Sequence, residues 1–149
     1  MTTKLLGNQS KGSMFVVSAP AGTGKTTLVR MLANEFSCVV ESISVTTRSP
    51  RPGEVDGVDY HFVSESVFKE KIEAGEFLEY AEVFGNYYGS SRKEVEALQH
   101  EGKHVFLVID TQGAIQVMDK MEAVFIFILP PSLDELQRRL AGRQTDAPE

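Results

Sequence analysis

Residues 19–26 read Ala-Pro-Ala-Gly-Thr-Gly-Lys-Thr, with Thr27 next. Gly22 and Gly24 permit a tight main-chain turn, so several N–H groups can converge on one anion. An apolar run at 14–17 with Phe15, Val16 and Val17 predicts a short buried strand before the turn. Leu28, Met31 and Leu32 predict the apolar face of a helix that starts near Lys25. Strand, glycine turn, Lys-Thr and helix make the setting of a phosphate-binding loop. The helix adds its positive dipole end. Lys25 can reach the outer phosphates and the Thr26 hydroxyl can bind Mg²⁺. The usual pattern opens on Gly, and here it opens on Ala19, a small change because Gly22 and the final Gly-Lys-Thr remain. An ordinary glycine turn is the simpler alternative, and the flanking strand and helix weigh against it.

Other candidates are less specific. Asp110 ends an apolar strand at 105–109 and is either near a metal or a turn and cap residue. Arg48 and Arg51 lie in a loop rich in hydroxyls and prolines, where two guanidiniums can grip one phosphate or stand in solvent. Arg139 and Arg143 are one turn apart near a helix end. By spacing alone they complement the helix dipole; on one face they could also neutralise a transferring phosphoryl group. Glu79 sits on an apolar strand. Its carboxylate suits a guanine edge, which offers N1–H and an amino group where adenine cannot, but an exposed strand glutamate is the plainer reading. His61, His100 and His104 lack metal-ligand spacing.

The chain must position these groups with 149 residues, 42% of them hydrophobic, about one domain with a real core. A net charge of −6 argues against a polynucleotide partner. No long charge-free run would span a membrane, and the polar first dozen residues do not read as a signal peptide. The lone Cys38 suits a cytoplasmic protein. Apolar patterns predict strands at 39–45, 60–63, 77–84, 87–90, 105–109 and 124–129, with a turn at Gly85-Asn86. Helices are predicted at 65–74 after Ser64, at 91–101 closed by Gly102, at 112–118, and from Ser132 with Glu135 completing a capping box. Leu133, Leu136 and Leu140 line one face of the last. The alternation implies an α/β fold with a parallel sheet and helices on both faces, interrupted by a strand-rich insertion.

Several stretches together resemble guanylate kinase. They are the loop at 19–26, Ser-Val-Thr-Thr-Arg-Ser-Pro-Arg-Pro-Gly-Glu at 44–54, and Gly-Val-Asp-Tyr-His-Phe at 57–62. Gly-Glu-Phe-Leu-Glu-Tyr at 75–80, Gly-Asn-Tyr-Tyr-Gly-Ser at 85–90 and Ile-Asp-Thr-Gln-Gly at 109–113 complete the set. The resemblance runs from about residue 14 to the end, and the 44–54 and 85–90 stretches make it specific. It implies a P-loop NTPase fold, with core at 14–46 and 91–141, a GMP-binding subdomain at 47–90 and the start of a lid at 142–149. It implies transfer of the γ-phosphate of ATP to GMP, with Mg²⁺, in purine nucleotide metabolism. Ala19, Pro20, Ala21, Gly22, Thr23, Gly24, Lys25, Thr26 and Thr27 would then bind ATP. Arg48, Arg51, Tyr60 and Tyr88 would hold the GMP phosphate, and Ser44, Glu79, Ser90 and Asp110 would surround the guanine. Thr26 and Asp110 would serve the metal. Lys25, Arg48, Arg139 and Arg143 would be the catalytic cations, with Arg143 in the lid.

Two departures qualify the resemblance. The family often has a second acid two residues before Asp110, where this chain has Val108. The chain also stops at Glu149, inside the lid, which makes it read as a fragment that binds GMP better than it turns it over and leaves a sheet edge exposed. A rival expectation is a catalytically inactive guanylate kinase-like interaction module. The intact Gly-Lys-Thr argues against it.

Overall fold

The computed structural model describes residues 11–19, 25–129 and 132–142. Two sheets divide the strands. In the first, β1 (Met14–Ser18), β2 (Val39–Glu41), β7 (His104–Ile109) and β8 (Val124–Phe127) lie in the order β2-β7-β1-β8, all neighbours parallel. The central pair β1 and β7 is apolar almost throughout, as a strand covered on both faces must be. On one face Met14, Val16, Val105, Leu107 and Ile109 meet Val95 of α3 (Arg92–His100) and Ala114 and Val117 of α4 (Thr111–Met118). On the other, Val17, Val39 and Phe106 meet Val29 of α1 (Lys25–Glu35). The α/β architecture with helices on both faces is therefore present.

The face that α1 buries differs from the expected one. Val29 is fully buried, with Leu32, Ala33 and Phe36 packed partly around it, whereas Leu28 and Met31 are exposed. Positions 29, 32, 33 and 36 also fit a helical stripe, and the pattern alone does not choose between two overlapping stripes. The last helix, α5 (Leu133–Ala141), is N-capped by Ser132, whose hydroxyl accepts the Glu135 N–H at 3.1 Å, and its Leu133 and Leu140 are exposed.

The second sheet, in the order β4-β3-β6-β5, holds β3 (Val45–Thr46), β4 (His61–Phe62), β5 (Phe77–Val83) and β6 (Asn86–Ser91). The strand expected across 39–45 is split. β2 ends at Glu41 in the first sheet, and Val45 begins β3 in the second. Residues 42–44 carry the chain from one sheet to the other. This lobe has its own core, where Phe68 of α2 (Glu65–Glu73) stacks on Phe77 and Tyr87 at 4.5 and 5.2 Å. A side chain at Gly89 would bring its Cβ within 2.8 Å of the Phe77 ring, so only glycine lets β6 cross there. The β5–β6 turn is Phe84-Gly85, one residue earlier than expected; both have positive φ, the geometry of a tight hairpin.

One irregularity joins the lobes. β5 pairs Phe77 with Ser91 but Glu79 with Ser90, leaving Leu78 as a bulge. Three successive residues are consequently buried. Phe77 enters the lobe core, Leu78 the core of the parallel sheet, and Glu79 the space between. Among the described residues no helix is long and apolar enough to cross a membrane.

Candidate active site

Glu79 is 6% exposed, although a carboxylate rarely leaves water without compensation. Its Oε1 accepts a 2.6 Å hydrogen bond from the Ser90 hydroxyl on the neighbouring strand. Its Oε2 lies against the first turn of α4, where a Cβ on Gly113 would come within 2.9 Å of it. Burial pushes its pKa upward, the Ser90 hydrogen bond opposes this, and the nearby charge of Asp110 adds to the rise. Asp110 stands exposed at the carboxyl end of β7 and N-caps α4, its Oδ1 accepting the Gly113 N–H at 2.8 Å. The cap reading of Asp110 is therefore met, and the same carboxylate lies near enough to Glu79 to act on its charge.

A second cluster forms on the loop after β3. The Arg48 guanidinium makes a two-pronged ion pair with Glu54, at 2.9 and 3.0 Å, and lies 5.2 Å from the Tyr60 ring centroid. Tyr88, on β6, meets Tyr60 edge to face at 6.1 Å and adds to the pull on the Arg48 charge. Glu54 also accepts the Arg51 N–H at 2.7 Å. The Arg48 hydrogen bonds come first, and with this one they hold the Glu54 carboxyl well below its ordinary range, at about 2. A depressed carboxyl contributes stability above its unfolded pKa, so the loop loses this support only as pH falls below that pKa and through the folded value of about 2. Arg51 itself is on the exposed part of the loop.

Between the two sheets runs a cleft of about 400 Å³, lined by Thr26 and Arg30 of α1, Glu41, Ser42, Ser44, Tyr60 and Val108. The structure thus brings Arg48, Tyr60 and Tyr88 together, sets Glu79 with Ser90 beside Asp110, and puts Thr26 and Ser44 on one cleft. Ala19 is buried at the end of β1, and Thr26 and Thr27 lie in the first turn of α1. Pro20, Ala21, Gly22, Thr23, Gly24 and Arg143 lie outside the described residues, as do the side chains of Lys25 and Arg139. Glu54 and Gly113 entered the sequence reading only as the last residues of the 44–54 and 109–113 stretches, with no role given to either; a carboxylate six residues after Arg48 in a turn-rich loop was the local signal for Glu54.

The guanylate kinase family model matches residues 11–149. The chain belongs to the guanylate kinase family. It is 59% identical over 143 residues to a guanylate kinase of Protochlamydia amoebophila, covering 96% of this chain and 73% of that protein. With a guanylate kinase of Alkalilimnicola ehrlichii it shares 54% over 139 residues, covering 93% and 68%. The crystal structure of guanylate kinase from Anaplasma phagocytophilum superposes with a TM-score of 0.69 at 43% identity, covering 88% of this chain and 66% of that one. The fold is accordingly that of P-loop NTPases, and the family's reaction is phosphoryl transfer from ATP to GMP.

The donor set for a metal is sparse. Among the described residues no three acids, histidines or cysteines stand together to hold one. A Thr26 hydroxyl on the cleft and an exposed strand-end carboxylate at Asp110 are hard oxygen donors. They fit Mg²⁺ bound mainly through substrate phosphates and water.

Proposed function

We propose that this chain binds GMP between the Glu79–Ser90–Asp110 group and the Arg48–Tyr60–Tyr88 cluster, and transfers to it the γ-phosphoryl of ATP bound at the loop at 19–27. The buried Glu79 carboxylate carries this reading. A negative acceptor pair kept out of water has a natural partner in the N1–H and amino group of guanine, which replace the lost hydration. Ser44 adds a polar contact on the cleft. Arg48, with Arg51 and the two tyrosines, neutralises the acceptor phosphate, whose oxygen is already ionised and needs no strong base. Lys25 and the loop amides hold the donor phosphates, with Arg139 and Arg143 offsetting charge on the transferring group. Thr26 and Asp110 would hold Mg²⁺, which would supply positive charge to offset that of the donor phosphates. The second lobe, from β3 through β6, acts as the GMP-binding subdomain, which moves the expected 47–90 boundaries outward to 45–91; the parallel sheet with its helices acts as the P-loop core, and 142–149 as the start of a lid. The setting is cytoplasmic purine metabolism.

The test is a coupled assay of this chain with ATP and either GMP or AMP, alongside calorimetry with each nucleotide. Preference for GMP is expected. Equal response to both acceptors would overturn the assignment of Glu79. A further expectation concerns Glu54→Gln, which keeps the shape but removes the charge that orients Arg48. GMP affinity should fall about tenfold while ATP affinity stays unchanged; unchanged GMP affinity would deny Glu54 an orienting part.

A further inference from the structure

The geometry points to Gln116 as a positioning residue for guanine selection, an inference that rests on the reading of Glu79 above. Gln116 lies in the last turn of α4, the helix that Asp110 caps. Its side-chain Oε1 accepts the Tyr80 N–H at 3.1 Å and its Nε2 donates to the Tyr80 carbonyl at 3.0 Å. A primary amide carries donor and acceptor as a peptide group does. Gln116 therefore pairs with β5 as a single residue of strand would.

The place of this pairing gives it meaning. β5 is the edge of its sheet, and the N–H and C=O of one residue point to the same side of a strand. Tyr80 immediately follows Glu79 and lies just beyond the Leu78 bulge, where the β5–β6 ladder changes register. A bulge loosens the strand and re-aims a side chain. Gln116 removes that freedom on the open side while Ser90 holds the carboxylate from the other. Gly113 and Gln116, three residues apart on α4, are neighbours on its surface, and Asp110 caps the same helix. One helix thereby carries the cap carboxylate, the close approach to Glu79 Oε2 and the tie on its neighbour. The distance between the Glu79 and Asp110 carboxylates is fixed by α4 rather than by the bulged strand alone. Gln116 touches no reacting group in this scheme and acts through the backbone of Tyr80.

Gln116→Met keeps length and volume and removes the amide. In the unliganded chain, Tyr80 amide hydrogen exchange should accelerate. GMP affinity should weaken about tenfold, and the kcat/KM preference for GMP over AMP should fall by a similar factor, with ATP affinity unchanged. A merely structural cap would lower Tm and reduce activity with both acceptors alike. Should the methionine variant fail to fold, Gln116→Glu keeps the acceptor and the chain length, and should show a smaller loss of preference. GMP preference retained in a folded variant, or Tyr80 exchange left unchanged, would overturn the clamp alone. Absence of GMP preference in the parent chain would overturn the functional reading with it.

Discussion

Arg48→Met is expected to lower kcat/KM for GMP by about three orders of magnitude while ATP still binds. The guanidinium combines three supports that no other side chain reproduces. It has a two-pronged pair with Glu54, the face of Tyr60 and the neighbouring Tyr88 hydroxyl. It is thus held in one orientation before a phosphate arrives, and little rotamer freedom is lost on binding. A charge-assisted hydrogen bond contributes about 1.5–3 kcal/mol, and a fork supplying two accounts for the expected factor. Arg48→Lys should not rescue it, because an ammonium cannot serve Glu54 and a phosphate in the same plane. The check is the coupled assay with calorimetry for both nucleotides. Loss of ATP binding, or near-normal GMP turnover, would show that the cluster is not the acceptor-phosphate site.

Glu79→Gln should collapse the choice between GMP and AMP by about 10³–10⁴. The amide keeps one acceptor and turns a donor toward the donors of guanine, so both a hydrogen bond and its partner's satisfaction are lost. The parent chain should also show a pH signature. Burial raises the Glu79 pKa, so the protonated form survives to higher pH than in an ordinary carboxylate. Guanine is bound by the ionised form. GMP affinity should therefore weaken as pH falls through that raised value, and binding there should release a proton. For unliganded stability the sign is opposite to the usual carboxylate case. Ionisation of this buried group is disfavoured in the fold, so its contribution is most favourable at low pH and is lost as pH rises through the folded pKa. Comparing GMP affinity against pH in the parent chain and Glu79→Gln isolates the effect from titration of the phosphate. Parallel profiles would sink the assignment.

What could be read along the chain was what neighbouring residues decide. The strand β1, the start of α1 at Lys25, the Ser64, Ser132 and Asp110 helix starts, and the hairpin near Gly85 all depend on residues a few positions apart. The convergence of Arg48, Tyr60 and Tyr88 came from the family resemblance, since their spacing alone leaves them on separate elements. Long-range packing decided the remainder. Val29 rather than Leu28 faces the sheet because of where α1 docks. The 39–45 run divides because two sheets compete for it. The Leu78 bulge and the Gln116 tie leave no local mark, as each exists only when β5 meets β6 and α4.

β8 has a bearing on handling the chain in solution. Residues 123–129 read Ala-Val-Phe-Ile-Phe-Ile-Leu, without charge or proline. β8 pairs with β1 on one side, and among the described residues no strand covers the other. Val124 and Phe127 are more than half exposed. Such a segment templates strand addition between molecules. Wherever that edge stands open it favours self-association that grows with protein concentration, and a lysine in place of Ile126 would be the first change to oppose it.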